Sequence, residues 1–241
     1  MEEMNASVVA LSGFKRSGKD ALADFLVSKA SERREQYGIE KAVKTAFADP
    51  FRKMTGLVLD IDESSVEDKE APIPYTRRYF GKDLSWREIL IRLGEGMKEV
   101  VCPNVWALSM ENRLYNGAKS SSGYFAVIPD VRYAQELKLL QKLRKKGFRV
   151  FYYGVFRKSA LPDWWKLGIT PNTKEERAIL EKDFGADHSE WEILQKNPKL
   201  DGAVYNDGTL EDLEADAEHI LAKVYSDYSD ANSEMIYEWR P

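Results

Sequence analysis

The sequence is short of soft metal ligands. Cys102 is the single cysteine and only His188 and His219 join it, so no intrachain disulfide can form and a structural zinc site has too few donors. Such usage fits a reducing cytosol. It also lacks an excess of positive charge: 36 Lys and Arg against 40 Asp and Glu leave a formal net charge of -4, so no global field draws the chain to nucleic acid or an anionic membrane. Contact with a polyanion must be local. Long hydrophobic runs are missing too. The first residues, Met1-Glu2-Glu3, are acidic, and the apolar run behind them ends after Leu11, too short for a signal peptide or a membrane span. The expectation is a soluble, cytoplasmic protein. What is present is apolar material enough for a core: 241 residues with 43% hydrophobic side chains can bury roughly 70% of the surface the unfolded chain exposes, which predicts one domain with a small inserted part.

Ser7 to Leu11 is a short β-rich run ending at Ser12-Gly13, and the same character returns at Val43 to Ala48, Phe125 to Ile128, Val150 to Phe156 and Ala203 to Tyr205. These predict five strands. Helical spacing begins at Lys19, with Ala21, Leu22, Phe25, Leu26 and Ala30 on one face. A second helix, from Trp86 to Val101, opens on Ser85 with Glu88 three residues on as a capping box; a third runs from Tyr133 to Lys146 and stops at Gly147; a fourth starts at Thr209 with Asp212 as its reciprocal cap. Strands alternating with helices predict a three-layer α/β/α fold around a five-stranded parallel sheet. Residues 60–85 and 158–197 break that rhythm. The first is read as part of a helical substrate-binding insertion over about 50–115, the second as a lid over 157–197, and the tail 225–241 as a frayed end whose Ile236, Tyr237 and Trp239 could dock on a partner subunit.

Gly13-Phe14-Lys15-Arg16-Ser17-Gly18-Lys19-Asp20 matches the phosphate-loop pattern G-x-x-x-x-G-K-[S/T] at every fixed position but the last. Glycines let the backbone curl so that successive N–H groups, through Asp20 and Ala21, point at phosphate oxygens, and the lysine ammonium reaches the β- and γ-phosphates of ATP. The match lies where the mechanism needs it, between a buried strand and an amphipathic helix. Where the usual hydroxyl ligates Mg²⁺, Asp20 offers a carboxylate, either to the ion itself or to one of its waters. The alternative is that Asp20 is only a favourable acidic residue in a helix first turn.

This loop, followed by Ala23-Asp24-Phe25, resembles that of the bacteriophage deoxynucleoside monophosphate kinases, P-loop kinases in which Asp also replaces the Ser or Thr. Further segments look similar in the same order: Phe47 to Arg52, Arg87 with Leu93-Gly94 and Trp106, Val127 to Arg132 with Glu136, His188-Ser189-Glu190, and Asn206 to Leu210. The likeness spans about residues 7–224 and is weak through 55–84 and 158–187. It implies transfer of the ATP γ-phosphoryl group to a deoxynucleoside 5′-monophosphate with Mg²⁺, a homodimer in the host cytoplasm, and an Asn206-Asp207-Gly208 loop beside the adenine of ATP. That last segment is equally turn chemistry.

The residues themselves suit phosphoryl transfer, which asks for positioning and positive charge. Asp130 ends a hydrophobic strand and so falls at the sheet edge where ligands of open α/β folds bind, with Arg132 two residues on and Glu136 at i+4, spaced to orient the guanidinium or touch the sugar. A helix N-cap and a surface ion pair are the plain alternative. Arg52, beside Phe51, and Arg87 are candidates to clamp the acceptor phosphate, since Arg offers a bidentate fork. Lys15 and Arg16 could reach both nucleotides. Gly94, with Glu95 and Gly96, interrupts a strong helix at roughly 1 kcal/mol per glycine, which suggests close approach of something such as the acceptor base. Trp106 could stack on that base or belong to the core. Arg157 at the root of the lid is a candidate sensor of the moving phosphoryl group, Arg177 a weaker one, and His188 receives no chemical role. Two rivals stay open. One is a P-loop kinase of another phosphorylated metabolite, of phosphomevalonate or dephospho-coenzyme A type; the other is a P-loop ATPase or regulatory module working on DNA, against which the acidic balance stands.

Overall fold

The computed structural model describes residues 5–62, 66, 71–73, 76–184, 188–196 and 198–226. The expected docking residues of the tail, Ile236, Tyr237 and Trp239, lie outside them. In chain order the elements are β1 (Ala6–Ser12), α1 (Lys19–Glu32), α2 (Arg34–Tyr37), β2 (Lys41–Lys44), α3 (Asp49–Leu59), β3 (Pro72–Ile73), α4 (Arg77–Phe80), β4 (Leu84–Ser85), α5 (Trp86–Val100), α6 (Val105–Lys119), β5 (Tyr124–Ile128), α7 (Ala134–Lys145), β6 (Arg149–Phe156), α8 (Asp163–Lys166), α9 (Lys174–Asp183), α10 (His188–Trp191), β7 (Gly202–Tyr205) and α11 (Leu210–Tyr225), with 3-10 turns at Lys158–Ala160 and Glu192–Lys196. The chain divides into two compact units, residues 1–45 with 113–241, and residues 46–112.

In the larger unit five strands form one parallel sheet in the order β2-β5-β1-β6-β7. Every residue of the central β1 is buried, which is why its sequence reads as a continuous apolar run and not as an alternation. Leu22, Leu26 and Ala30 of α1 and Leu213, Ala217, Ile220 and Leu221 of α11 share one core cluster with Val9, Leu11, Val127 and Val155 of the strands. Leu139, Leu140 and Leu143 of α7 are buried as well. Parallel strands joined by helices bring the carboxyl ends of β1, β5, β6 and β7 to one edge, which places the Gly13, Asp130, Arg157 and Asn206 segments together there.

The expected helices stand with small changes of boundary, and Gly147 takes the left-handed φ of +90° that stops α7. One expected strand is shorter. The apolar run Val43 to Ala48 is strand only through Lys44, because Ala46 N–H donates to the Asp49 carboxylate at 2.7 Å and, with Pro50 in the first turn, this opens α3.

In the smaller unit Ser85 Oγ accepts from Glu88 N–H at 3.2 Å and the Glu88 carboxylate accepts from Ser85 N–H at 2.9 Å, completing the capping box of α5. The two-residue ladder of β3 and β4 precedes it, tied by Thr76 Oγ1, which accepts from Leu84 N–H and donates to the Ile73 carbonyl, both at 2.7 Å. Trp86 is fully buried beneath.

Candidate functional site

β1 delivers the chain to the loop at Ser12, whose Oγ accepts from the Tyr152 hydroxyl at 2.8 Å. Gly13 lies against β6 so closely that a Cβ there would fall 2.1 Å from the Val155 carbonyl oxygen. Gly18 has φ +99°, and its Cβ would meet Asn206 Nδ2 at 2.1 Å. That amide is in use: Asn206 Nδ2 donates to the Ser17 carbonyl at 3.0 Å, while Asn206 N–H donates to the Phe156 carbonyl at 2.7 Å. The absent side chains are therefore required by strand β6 at Gly13 and by the Asn206 loop at Gly18, a reason the motif pattern does not contain. Phe14 is 6% exposed and sets its ring against Trp164 and Trp165 of α8, with centroids 5.7 and 5.5 Å away. Lys15 and Arg16 are exposed, and Arg16 is in the left-handed region at φ +66°.

The Lys19 ammonium is folded over its own loop, donating to the Gly13 carbonyl at 2.8 Å, the Phe14 carbonyl at 2.7 Å and Ser17 Oγ at 3.4 Å. Burial and then the charge of Arg132 bring its pKa down to about 8, with Asp20 and Asp130 pulling the other way. Lys19 thus feels both residues of the expected Asp-x-Arg pair. Asp20 is exposed, its carboxylate 3.6 Å from the Lys44 ammonium, which lies closer to Asp24 at 2.7 Å. Among the described residues no three His, Cys, Asp or Glu side chains gather as a metal cluster. A single exposed carboxylate beside the loop suits Mg²⁺, which takes few protein ligands and completes its shell with phosphate oxygens and water.

Glu136 is buried, and its carboxylate accepts from the backbone amides of Arg132 at 2.6 Å and Tyr133 at 2.9 Å. The i+4 spacing suggested that it orients the guanidinium or touches the sugar; in the structure the carboxylate caps the turn that carries Arg132. Burial chiefly, then the nearby Asp130, pushes its pKa up to about 8 against those two amides and Arg132. Asp207 accepts from Lys158 N–H at 2.8 Å, and Gly208 lies against the Asp212 carboxylate that caps α11. Arg157 is exposed where the 3-10 turn begins, and Arg177 reaches the Pro171 carbonyl at 3.5 Å. His188 Nδ1 lies 3.2 Å from a Glu192 oxygen. Sequence reasoning missed Glu192, whose other oxygen accepts from Ala134 N–H at 2.9 Å; its i+4 spacing from His188 was the available signal.

Of the expected acceptor residues, Phe51, Arg52, Arg87, Gly94, Glu95 and Trp106 belong to the smaller unit, and Lys15, Asp130, Arg132 and Glu136 to the larger. Trp106 is 8% exposed, donates from Nε1 to the Gly94 carbonyl at 3.0 Å and packs on Phe51 with centroids 4.9 Å apart. What approaches Gly94 is this indole. Its absent side chain is not what makes room, since a Cβ would meet only Phe51 at 4.0 Å. Arg52 and Arg87 are half-buried on α3 and α5, and Glu95 pairs with Lys98 at 2.9 Å.

A central strand, a glycine loop with its lysine, and a helix, in a parallel sheet of order 2-5-1-6-7, define an α/β fold of the P-loop class. No family model matches the chain, and no curated protein matches it. Among solved structures it is similar to an APS kinase of Mycobacterium tuberculosis in complex with AMPPNP and APS, at 16% identity and a TM-score of 0.46 over 92% of this chain and 98% of that one. It is also similar to a shikimate kinase of Acinetobacter baumannii in complex with shikimate (13%, TM-score 0.40, 92% and 94%) and a tunicamycin resistance protein of Deinococcus radiodurans (14%, TM-score 0.41, 98% and 99%).

Proposed function

We propose that this protein transfers the γ-phosphoryl group of ATP to a small phosphorylated acceptor, and that the acceptor is a deoxynucleoside 5′-monophosphate. The observation that carries the transfer is the Gly13–Asp20 loop between the central strand and α1, with a buried Lys19 held on the Gly13 and Phe14 carbonyls. Those carbonyls hold the ammonium where incoming phosphate oxygens can take it over, and the N-terminus of α1 adds its positive end. Arg132 and Arg157 supply further charge to the moving group, while Asn206 braces the loop from β7 and, with Asp207 and Gly208, adjoins the ATP side. Arg52 and Arg87 are the acceptor clamp and Lys15 and Arg16 the residues shared between nucleotides. Mg²⁺, held through Asp20, would neutralise charge shared by the β- and γ-phosphates. No strong base is needed, because the acceptor already presents an anionic oxygen and alignment dominates.

The choice of acceptor rests on the resemblance of the Asp130-x-Arg132 and Asn206-Asp207-Gly208 segments. A coupled ADP-release assay over deoxynucleoside and ribonucleoside monophosphates and other phosphorylated metabolites tests it. Stimulation by at least one deoxynucleoside monophosphate is expected. Stimulation only by a different metabolite would keep the transfer and discard the acceptor, and no stimulation by any would discard both.

A further inference from the structure

The turn carrying Asp130 and Arg132 has four successive backbone amides assigned to partners. Val131 N–H donates to the Leu11 carbonyl at 3.1 Å, Arg132 and Tyr133 N–H donate to Glu136, and Ala134 N–H donates to Glu192 Oε1 at 2.9 Å. The first three partners are β1 and the turn's own helix. The fourth comes from 58 residues further along. Glu192 is well placed to hold that position: its side chain is 14% exposed, its second oxygen meets His188 Nδ1, and its chain neighbours Trp191 and Ile193 are 3% and 4% exposed. A carboxylate fixed from both sides in this way is set by the fold, not by a chance surface encounter.

Resting on the reading of Asp130 and Arg132 as part of the transfer site, we infer that Glu192 is a positioning residue for that site, fixing the turn through Ala134 and so the placement of both side chains relative to Lys19. Arg132 and Asp130 both act electrostatically on the Lys19 ammonium, so a shift of their backbone changes the charge around the phosphate loop directly. Glu136 alone cannot do this work. Its bonds are internal to the turn and helix, so they keep the turn's shape, whereas Leu11 at one end and Glu192 at the other tie its amides to the rest of the unit, and the Tyr133 ring meets that of His188 with centroids 6.2 Å apart. The end of the expected lid, over 157–197, thereby contributes to the site without touching a nucleotide.

The test uses the full chain with Glu192→Ala and Glu192→Gln. Glu192→Ala is expected to leave the Mg-ATP dissociation constant within about twofold, since the loop is untouched, while kcat with the acceptor found in the panel falls by about tenfold to a hundredfold, the cost of a small misplacement. Amide exchange at residues 131–134 should quicken while that of α1 does not. Glu192→Gln keeps an oxygen for Ala134 N–H and should restore both protection and most of kcat. Unchanged exchange at 131–134 with wild-type kcat overturns the inference, as does exchange that quickens uniformly through the unit. Absence of any active acceptor with the wild-type protein would defeat the functional reading alone, and the exchange comparison would still decide whether Glu192 holds the turn.

Discussion

At the scale of single residues, two buried ionisable groups carry the strongest expectations. Lys19→Ala removes the buried ammonium of the loop, and turnover should fall by about a hundredfold or more, as when a preorganised charge-stabilising donor is lost; the ADP-release assay reads it, with circular dichroism confirming the fold. Glu136 gives a pH dependence of stability whose sign is fixed. Its folded pKa is raised from 4.5 to about 8, so between those values the folded state holds a proton that the unfolded state has lost. Stability from this group is therefore complete below about pH 4.5 and is lost as the pH rises through 8, a change on the order of a few kcal/mol. Glu136→Gln should flatten that slope, and melting temperatures measured from pH 5 to 8 check it. A variant that declines as steeply as the wild type would show that another group is responsible.

At the scale of elements, helix starts do much of the positioning. The box of Ser85 and Glu88 opens α5, which carries Arg87 in its first turn and Gly94 further on. Ser85→Ala should cost about 1 kcal/mol, read by denaturant unfolding, because it orphans the Glu88 amide. This box was legible in the sequence, as was that of Thr209 and Asp212, since a cap is a local pattern of four residues. The end of β2 was not: its apolar run continues to Ala48, and the Asp49 side chain, turning back to Ala46, with Pro50 beside it, ends the strand at Lys44. Trp106 was legible as apolar and helical, yet whether it faced a ligand or its own unit depended on Gly94 offering a carbonyl twelve residues earlier.

For the whole molecule, a net charge of -4 predicts that the protein does not retain duplex DNA on a filter even at low salt, where phosphate contacts are strongest. Appreciable retention would point to a local basic surface instead. No helix among the described residues is long and apolar enough to cross a membrane. The sequence by itself determined the parallel α/β class and the loop with its lysine, because strand runs, helical spacing and the glycine pattern are written in contiguous residues. Only the tertiary structure decided why Gly13 and Gly18 are glycine, since the atoms they would strike belong to Val155 and Asn206. It alone brought Glu192 to Ala134. These are contacts between distant parts of the chain, and no local pattern encodes which buried carboxylate will meet which amide.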